Sequence, residues 1–282
     1  MLAAAWGQVM ASKANITLNL ETTAGTSENL KLIAAGEANF GLGMVPDTID
    51  AISGLDDFKG KPAGNIRGVA VGLINIFHFV TLDGNGIERL ADLKGKNVSV
   101  GPSGHPYFGP KVIKAVTGYE GGKDYHPQWM SHDQACEALQ NGDIDAIIAN
   151  SAIPTSAYSA LDATVEKTRF LGVNAEDREK VFKGLPGYFI TITVPKTAGY
   201  THIKEDFETL GARVMMFTHE DVSEEVIYRL TKFIVENSEE SAKIYKPAAD
   251  FGLDTQKASI PDLKVPLHPG AIKYYKEIGI LE

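Results

Sequence analysis

Residues 27–45, SENLKLIAAGEANFGLGMV, decide how this chain is read. An amphipathic helical stretch stops at Gly36, an acidic residue follows, and Ala38-Asn39 leads into an apolar strand. The glycine fits the left-handed stop of a helix, and the acid and Asn suit a tight helix-to-strand loop. Residues 131–149, SHDQACEALQNGDIDAIIA, repeat the pattern with Gly142 as the stop and Asp143 and Asp145 in the loop. Two such units imply two similarly wound lobes.

A second pair of segments says how the lobes connect. FHFVTLDGNGIERLADL (77–93) and VMMFTHEDVSEEVIYRL (214–230) both run from an apolar strand through an acidic turn into a helix. If each strand crosses between lobes, the chain goes from the first lobe to the second and back, with a two-strand hinge and a cleft between. The lobes are then 1–78 with 217–282, and 79–216.

Strand and helix patterns alternate through the rest, which predicts α/β layers with a mostly parallel sheet. Strands are expected at 16–20, 40–45, 69–73, 77–82, 97–100, 146–149, 170–173, 189–194 and 213–217. Helices are expected at 27–35 with Ser27 as N-cap, 48–53, 87–93, 111–116, 133–140, 155–161, 221–237 and 269–278. Asp221 and Glu224 have the spacing of a capping box. The first residues form an amphipathic helix with Leu2, Trp6, Val9 and Met10 on one side.

The formal net charge of −9 over 282 residues argues against nucleic acid, whose recognition needs concentrated Lys and Arg. One cysteine, Cys136, excludes an internal disulfide and reads as an inert core thiol on a helix. No apolar run approaches the ~20 residues that span a bilayer.

In an open α/β sheet, ligands bind outside the carboxyl ends of strands, where loops enter helices. Residues 97–109, NVSVGPSGHPYFG, form such a loop. The N–H groups of Ser103, Gly104 and His105, with the following helix dipole, suit a carboxylate or other small anion, and Tyr107 or His105 adds a hydrogen bond or a wall. A plain turn with Pro106 starting the helix is the other reading of the same residues. ETTAGTSENL (21–30), GLGMVPDT (41–48) and ANSAIPTS (149–156) are loops of similar character. His78 lies between Phe77 and Phe79, on the opposite face by alternation, either lining a cleft or exposed. No His-Glu-x-x-His, Gly-x-Ser-x-Gly, Walker or GxGxxG motif occurs. THED (218–221) sits at a helix start, where acids are favoured without a metal. No catalytic residues, metal set or cofactor motif emerge, and the chain is read as a binding protein rather than an enzyme.

ENLKLIAAGEANFGLG, GIERLADLKGKNVSVGPSG, ACEALQNGDIDAI, VSEEVIYRLTKFIVEN and LHPGAIKYYKEIGI, in that order, resemble the blocks of TRAP transporter solute-binding proteins of the TAXI type. The resemblance implies a type II periplasmic-binding-protein fold. It implies capture of a small organic acid, a C4 or C5 dicarboxylate such as 2-oxoglutarate or glutamate, and delivery to a TRAP membrane permease from the periplasm. It places the ligand-facing positions at Thr26 and Ser27, Met44 and Val45, Ser103 to Tyr107, and Asn150, Ser151, Ala152 and Ile153. SGHPY departs from the family's Gly-Ser-Gly-Thr form by exchanging a hydroxyl for a larger, titratable ring. A monomer without cofactor is expected. The alternatives are an ABC-type binding protein for another small anion, hydroxymethylbilane synthase, and the effector domain of a LysR-type regulator. For the enzyme, Cys136 lies mid-helix rather than on an exposed loop, and the regulator needs a helix-turn-helix before the lobes.

Members of the TAXI family begin with a signal peptide, a first strand and a Gly-rich ligand loop before the first helix, whereas this sequence starts at LAAAWGQVMA inside that helix. The resemblance therefore implies that those parts are missing, by truncation or a misplaced start, and that the first strand of lobe I is absent. Unpaired strand neighbours would then expose backbone groups. Restoring the upstream segment is expected to raise both the melting temperature and ligand affinity, and unchanged values would refute this.

Overall fold

The computed structural model of the protein describes residues 2–14, 17–23, 25–101 and 108–282. In chain order the elements are α1 (Leu2–Ala14), α2 (Thr26–Ala34), β1 (Phe40–Met44), α3 (Val45–Ser53), β2 (Ile66–Leu82) and β3 (Asn97–Ser99). Next come α4 (Phe108–Thr117), β4 (His126–Gln128), α5 (His132–Asn141), β5 (Ala146–Ser151), α6 (Ser156–Thr164) and β6 (Thr168–Phe170). The chain ends with α7 (Ala175–Gly184), β7 (Ile190–Val194), β8 (Phe207–His219), α8 (Glu224–Glu236), α9 (Ser238–Ala242), α10 (Leu253–Ser259) and α11 (Pro269–Glu277). The protein divides into two compact units: Met1–Ile74 with Arg213–Glu282, called unit 1, and Asn75–Ala212, called unit 2. Strands β2 and β8 run through both divisions.

In unit 1, α1 buries Leu2, Ala5, Trp6, Val9 and Met10, the face its spacing predicts. Trp6 meets Phe251 edge-on at 4.9 Å. Helix α2 ends at Ala34 with Ala35 as its C-cap, and Gly36 takes φ 72°. Strand β1 pairs antiparallel with β8, from Phe40 opposite Thr218 to Met44 opposite Val214. Gln256, fully buried, accepts from Val71 N (3.1 Å) and donates to Val71 O (2.6 Å), so a side chain replaces a missing strand neighbour there.

In unit 2, β5 pairs antiparallel with β2, from Ile76 opposite Ser151 to Thr81 opposite Ala146, and parallel with β3. Strand β3 is also parallel to β4, while β6 on β2 and β7 on β8 are antiparallel. Helix α5 starts with a reciprocal cap between Ser131 and Gln134 and stops at Gly142, φ 79°. The repeated helix–glycine–strand grammar therefore has the same local structure in both units.

Several expectations are corrected. The sheet is not mostly parallel, because strand–helix alternation says nothing about which strands become neighbours, and long β2 and β8 take antiparallel partners. Residues 17–20 form no strand, and Ile16 lies outside the described residues. The strands expected at 69–73 and 77–82 are one strand, β2. Residues 87–93 hold only a short 3₁₀ turn, Leu90–Leu93. Ser27 lies inside α2, whose N-cap is Gly25, and α8 is capped at Ser223 with no side-chain bond, so Asp221 and Glu224 form no capping box.

Helix α11 packs on α8 through Gly270, where an added Cβ would stand 2.2 Å from Glu224 O and 2.6 Å from Tyr228 N. Both neighbours are backbone and cannot swing away. Gly270→Ala is expected to destabilise the protein by about 1–3 kcal/mol or more, as overpacking does, read as a lower urea midpoint with an unchanged slope.

Candidate functional site

The expected ligand positions among the described residues fall into one group in each unit. In unit 1, Thr26 is buried at the first position of α2, and Met44 N–H points to its Oγ1 at 3.4 Å. Gly43 permits this approach, since a Cβ there would lie 2.5 Å from Thr26 Cγ2. Val45, also buried, opens α3 directly after β1. The end of β1 thus joins Thr26, Met44 and Val45. Ser27 turns elsewhere, donating to Asp57 Oδ2 at 2.6 Å on the surface.

In unit 2, β2 and β5 bring His78 together with Asn150 and Ser151. Asn150, in the amide orientation its neighbours require, donates to Ile76 O (3.1 Å) and Asn75 O (3.2 Å). His78 is only 3% exposed, so it is neither a surface residue nor an open cleft wall. The alternation argument missed this because Tyr158 and Tyr200 cover the face opposite Phe77 and Phe79, with ring centroids 4.8 and 6.0 Å from the imidazole. Ser103, Gly104, His105 and Tyr107 lie outside the described residues.

The donors around His78 can be assigned in sequence. Thr155 N–H donates to Tyr200 Oη at 2.9 Å, which turns the phenol hydrogen toward His78 Nε2, also 2.9 Å away. The proton of the neutral imidazole is then on Nδ1, facing Ser151 Oγ at 3.1 Å. Thr155 Oγ1 donates to Ala152 O (2.6 Å), so Ser151 Oγ donates to Thr155 Oγ1 (2.7 Å). The circuit closes on Thr155 with each named hydrogen used.

A second layer holds this circuit. Asp162, fully buried on α6, accepts from Thr201 N, from His202 N (3.2 Å) and from His202 Nδ1 (2.8 Å). These bonds fix the turn that carries Tyr200, whose ring also stacks on Phe170 at 4.2 Å. Tyr158, itself buried, reaches His132 Nδ1 at 2.7 Å. Sequence reasoning missed Tyr200, Thr155, Asp162 and His132. Tyr200 stands 122 positions from His78 and 45 from Thr155, and no local pattern marks such a contact.

With its side-chain hydroxyls committed, the loop after β5 has backbone left to offer. The N–H groups of Ala152 and Ile153 make no backbone hydrogen bond among the described residues. Cys136 is buried, with burial pushing its thiol up to about 12, and it is chemically quiet. A cavity of ≈ 300 Å³ in unit 1 is bordered by Trp6, Glu21, Asn29, Glu37, Phe40 and Met216. Its charged lining is acidic, which does not suit an anion. Among the described residues, no group of three or more His, Cys, Asp or Glu is placed to hold a metal ion. Nor is any helix long and apolar enough to cross a membrane.

A family model described as the NMT1-like family matches residues 1–279. Among solved structures, the chain is similar to the periplasmic aliphatic sulphonate binding protein SsuA from Escherichia coli. The identity is 15% and the TM-score 0.52, covering 98% of this chain and 78% of that one. It is also similar to a Xanthomonas citri protein solved bound to ATP, at 9% identity and a TM-score of 0.60, covering 98% and 93% of the two chains. At these identities the likeness establishes a shared fold: the mixed α/β, two-lobed, type II-like architecture of periplasmic binding proteins.

Burial holds the His78 imidazole far below its ordinary value, from 6.5 to about 3, with a smaller contribution from His132. Between those values the unfolded chain binds a proton that the folded one refuses. This contribution to stability is complete above 6.5 and is lost as the pH falls toward about 3. Unfolding free energy is therefore expected to fall on acidification by up to about 1.4 kcal/mol per pH unit from this one group. His78→Gln should remove that component. Equal acid-side slopes in denaturant titrations of the two proteins would show that His78 is not held neutral.

Proposed function

The chain belongs to the NMT1-like family, and from that premise we propose that it is an extracytoplasmic solute-binding protein, not an enzyme, for a small organic anion. The observation that carries this reading is the family match over almost the whole chain, residues 1–279. The shared fold with the sulphonate binding protein supports it. The finer reading is a C4 or C5 dicarboxylate delivered to a TRAP-type permease, with the protein acting as a periplasmic monomer. It is supported by the TAXI-like blocks from ENLKLIAAGEANFGLG to LHPGAIKYYKEIGI.

On this reading the proposed contacts are Thr26, Met44 and Val45 in unit 1, and Ala152, Ile153 and the 103–107 loop in unit 2. His78, Asn150 and Ser151 act by holding the β5 loop in place. Ser27, tied to Asp57, is the weakest member of the set. The recognition chemistry is backbone N–H donation to carboxylate oxygens, which fixes an anion without a full cationic partner. Solute capture needs no bond making, so the chain requires no nucleophile and no acid–base pair.

The fold shared with a sulphonate binder favours a second reading, in which the anion is an aliphatic sulfonate. A thermal-shift screen of mono- and dicarboxylates, aliphatic sulfonates, sugars and amines separates the two. The dicarboxylates are expected to raise the melting temperature, with about 2.7 kcal/mol of added stability at a hundred times Kd. A response to sulfonates alone would select the second reading, and a response to no anion would end both.

A further inference from the structure

The cavity of ≈ 300 Å³ in unit 1 is separate from the proposed anion contacts, since Thr26, Met44 and Val45 do not border it. Its walls come from α1, residues 19–21 and 23, the last turn of α2, and β1. Floor and rim differ in character. Trp6, Ile33 and Met216 are buried, whereas Glu21 and Glu37 are exposed. The described residues that border the cavity include no Lys, Arg or His. Neither glutamate forms an ion pair among the described residues. Leu32 and Ile33 on the wall belong to the last turn of α2, the negative end of that helix's dipole. Phe40 adds an aromatic face, which attracts an ammonium group.

Trp6 supplies an independent observation. It is 1% exposed, its ring is set edge-on against Phe251 at 4.9 Å, and its indole N–H has no hydrogen-bond partner. Buried donors are almost always paired, so one left open on a residue of the cavity wall calls for an acceptor. The wall opposite is held in shape by its own bonds. Thr23 Oγ1 donates to Asn29 Oδ1 at 2.6 Å, and Asn29 Nδ2 donates to Leu42 O at 2.8 Å, which ties residue 23 through α2 to β1. The cavity is therefore a preformed space with an apolar floor, one free donor and an acidic mouth.

We propose that this cavity binds a small organic ammonium ion, with its cationic head at the rim of Glu21 and Glu37, its apolar body over Ile33 and Phe40, and an oxygen accepting from Trp6 Nε1. An anionic solute would meet two carboxylates here, and a purely apolar one would leave the carboxylates and the indole N–H unmatched. A volume of ≈ 300 Å³ is at the small end for ligand sites, which suits a short amine. The site goes beyond the capture of an organic anion, because it adds to unit 1 a second ligand of opposite charge on residues that the anion does not use.

The test is calorimetric titration of the full chain with probes of one chain length: pentylamine, aminopentanol, pentanol and pentanoate. Both amines are expected to bind, with pentanol and pentanoate weaker by about tenfold or more. Aminopentanol should bind about threefold or more tighter than pentylamine, the scale of one net hydrogen bond. The double variant Glu21→Gln with Glu37→Gln should weaken both amines by about tenfold, the sum of two exposed charge pairs. Both positions are exposed, so the core is untouched. Trp6→Phe should remove the advantage of aminopentanol over pentylamine, and circular dichroism melts establish that each variant is folded. If Trp6→Phe does not fold, the four probes and the double variant still decide. Pentanoate bound as well as pentylamine, amine affinity unchanged in the double variant, or no amine bound at all overturns the inference. So does aminopentanol bound no tighter than pentylamine, or an advantage that persists in Trp6→Phe. Each of these results leaves the anion-binding reading standing, because that reading is decided by the response to carboxylates and sulfonates.

Discussion

Strand β2 runs through seventeen residues from Ile66 to Leu82, and most of them are buried. Its peptide groups cannot turn to water, so each needs a partner inside the protein. Within unit 1 those partners include side chains from the C-terminal segment: Gln256 brackets Val71, and Tyr275 Oη donates to Val69 O at 2.9 Å. Within unit 2, Thr209 Oγ1 on β8 donates to Phe77 O at 2.9 Å, and β5 pairs along 76–81. The glycines serve the same demand. Gly68 and Gly72 leave room for Met215 and Phe251 to lie directly on the strand. The helices of unit 1 and the loop system of unit 2 are both arranged around keeping this strand dry and satisfied.

Inside unit 2 the same constraint produces a chain of dependence. Asp162 is a fully buried carboxylate that three N–H groups of residues 201–202 satisfy. That binding makes the turn rigid, and the turn presents Tyr200. Tyr200 in turn decides the tautomer of His78, and His78 decides what Ser151 can do. A hydroxyl that accepts from an imidazole and donates to a threonine has no hydrogen left for a solute. The polar residues at the end of β5 therefore shape the loop more than they read a ligand. The low proton affinity of His78 follows from the same burial.

What could be read from the sequence was what depends on neighbours a few positions away. Helix α1 and its buried face, the stops at Gly36 and Gly142, and the short strand that follows each are products of local spacing and backbone handedness. The unity of β2 was hidden because the strands expected at 69–73 and 77–82 left 74–76 between them, and nothing local shows that those residues continue a single strand. In the fold Gly72 marks close approach by the Phe251 ring. Strand direction was hidden because alternation of elements orders them along the chain, not across a sheet. Of the candidate site, the loops at 26–27, 44–45 and 150–153 were expected from their turn chemistry and from resemblance. The contacts that hold the last of these were not, since Tyr200 and Asp162 act through partners far away in sequence.

Net charge is a poor guide to which charges a local site can hold. A formal charge of −9 repels anions at long range, but salt screens that field within about a Debye length, ~8–10 Å at ordinary ionic strength. Inside that distance the balance of local donors decides. The carboxylates of Glu220, Glu88, Glu208 and Glu225 already neutralise the arginines beside them, and the cavity bordered by Glu21 and Glu37 has no cation to offer. At the end of β5, the N–H groups of Ala152 and Ile153 make no backbone hydrogen bond among the described residues. A few preorganised donors in partly desolvated surroundings outweigh a diffuse repulsion, because desolvation strengthens each contact while solvent weakens the distant charges.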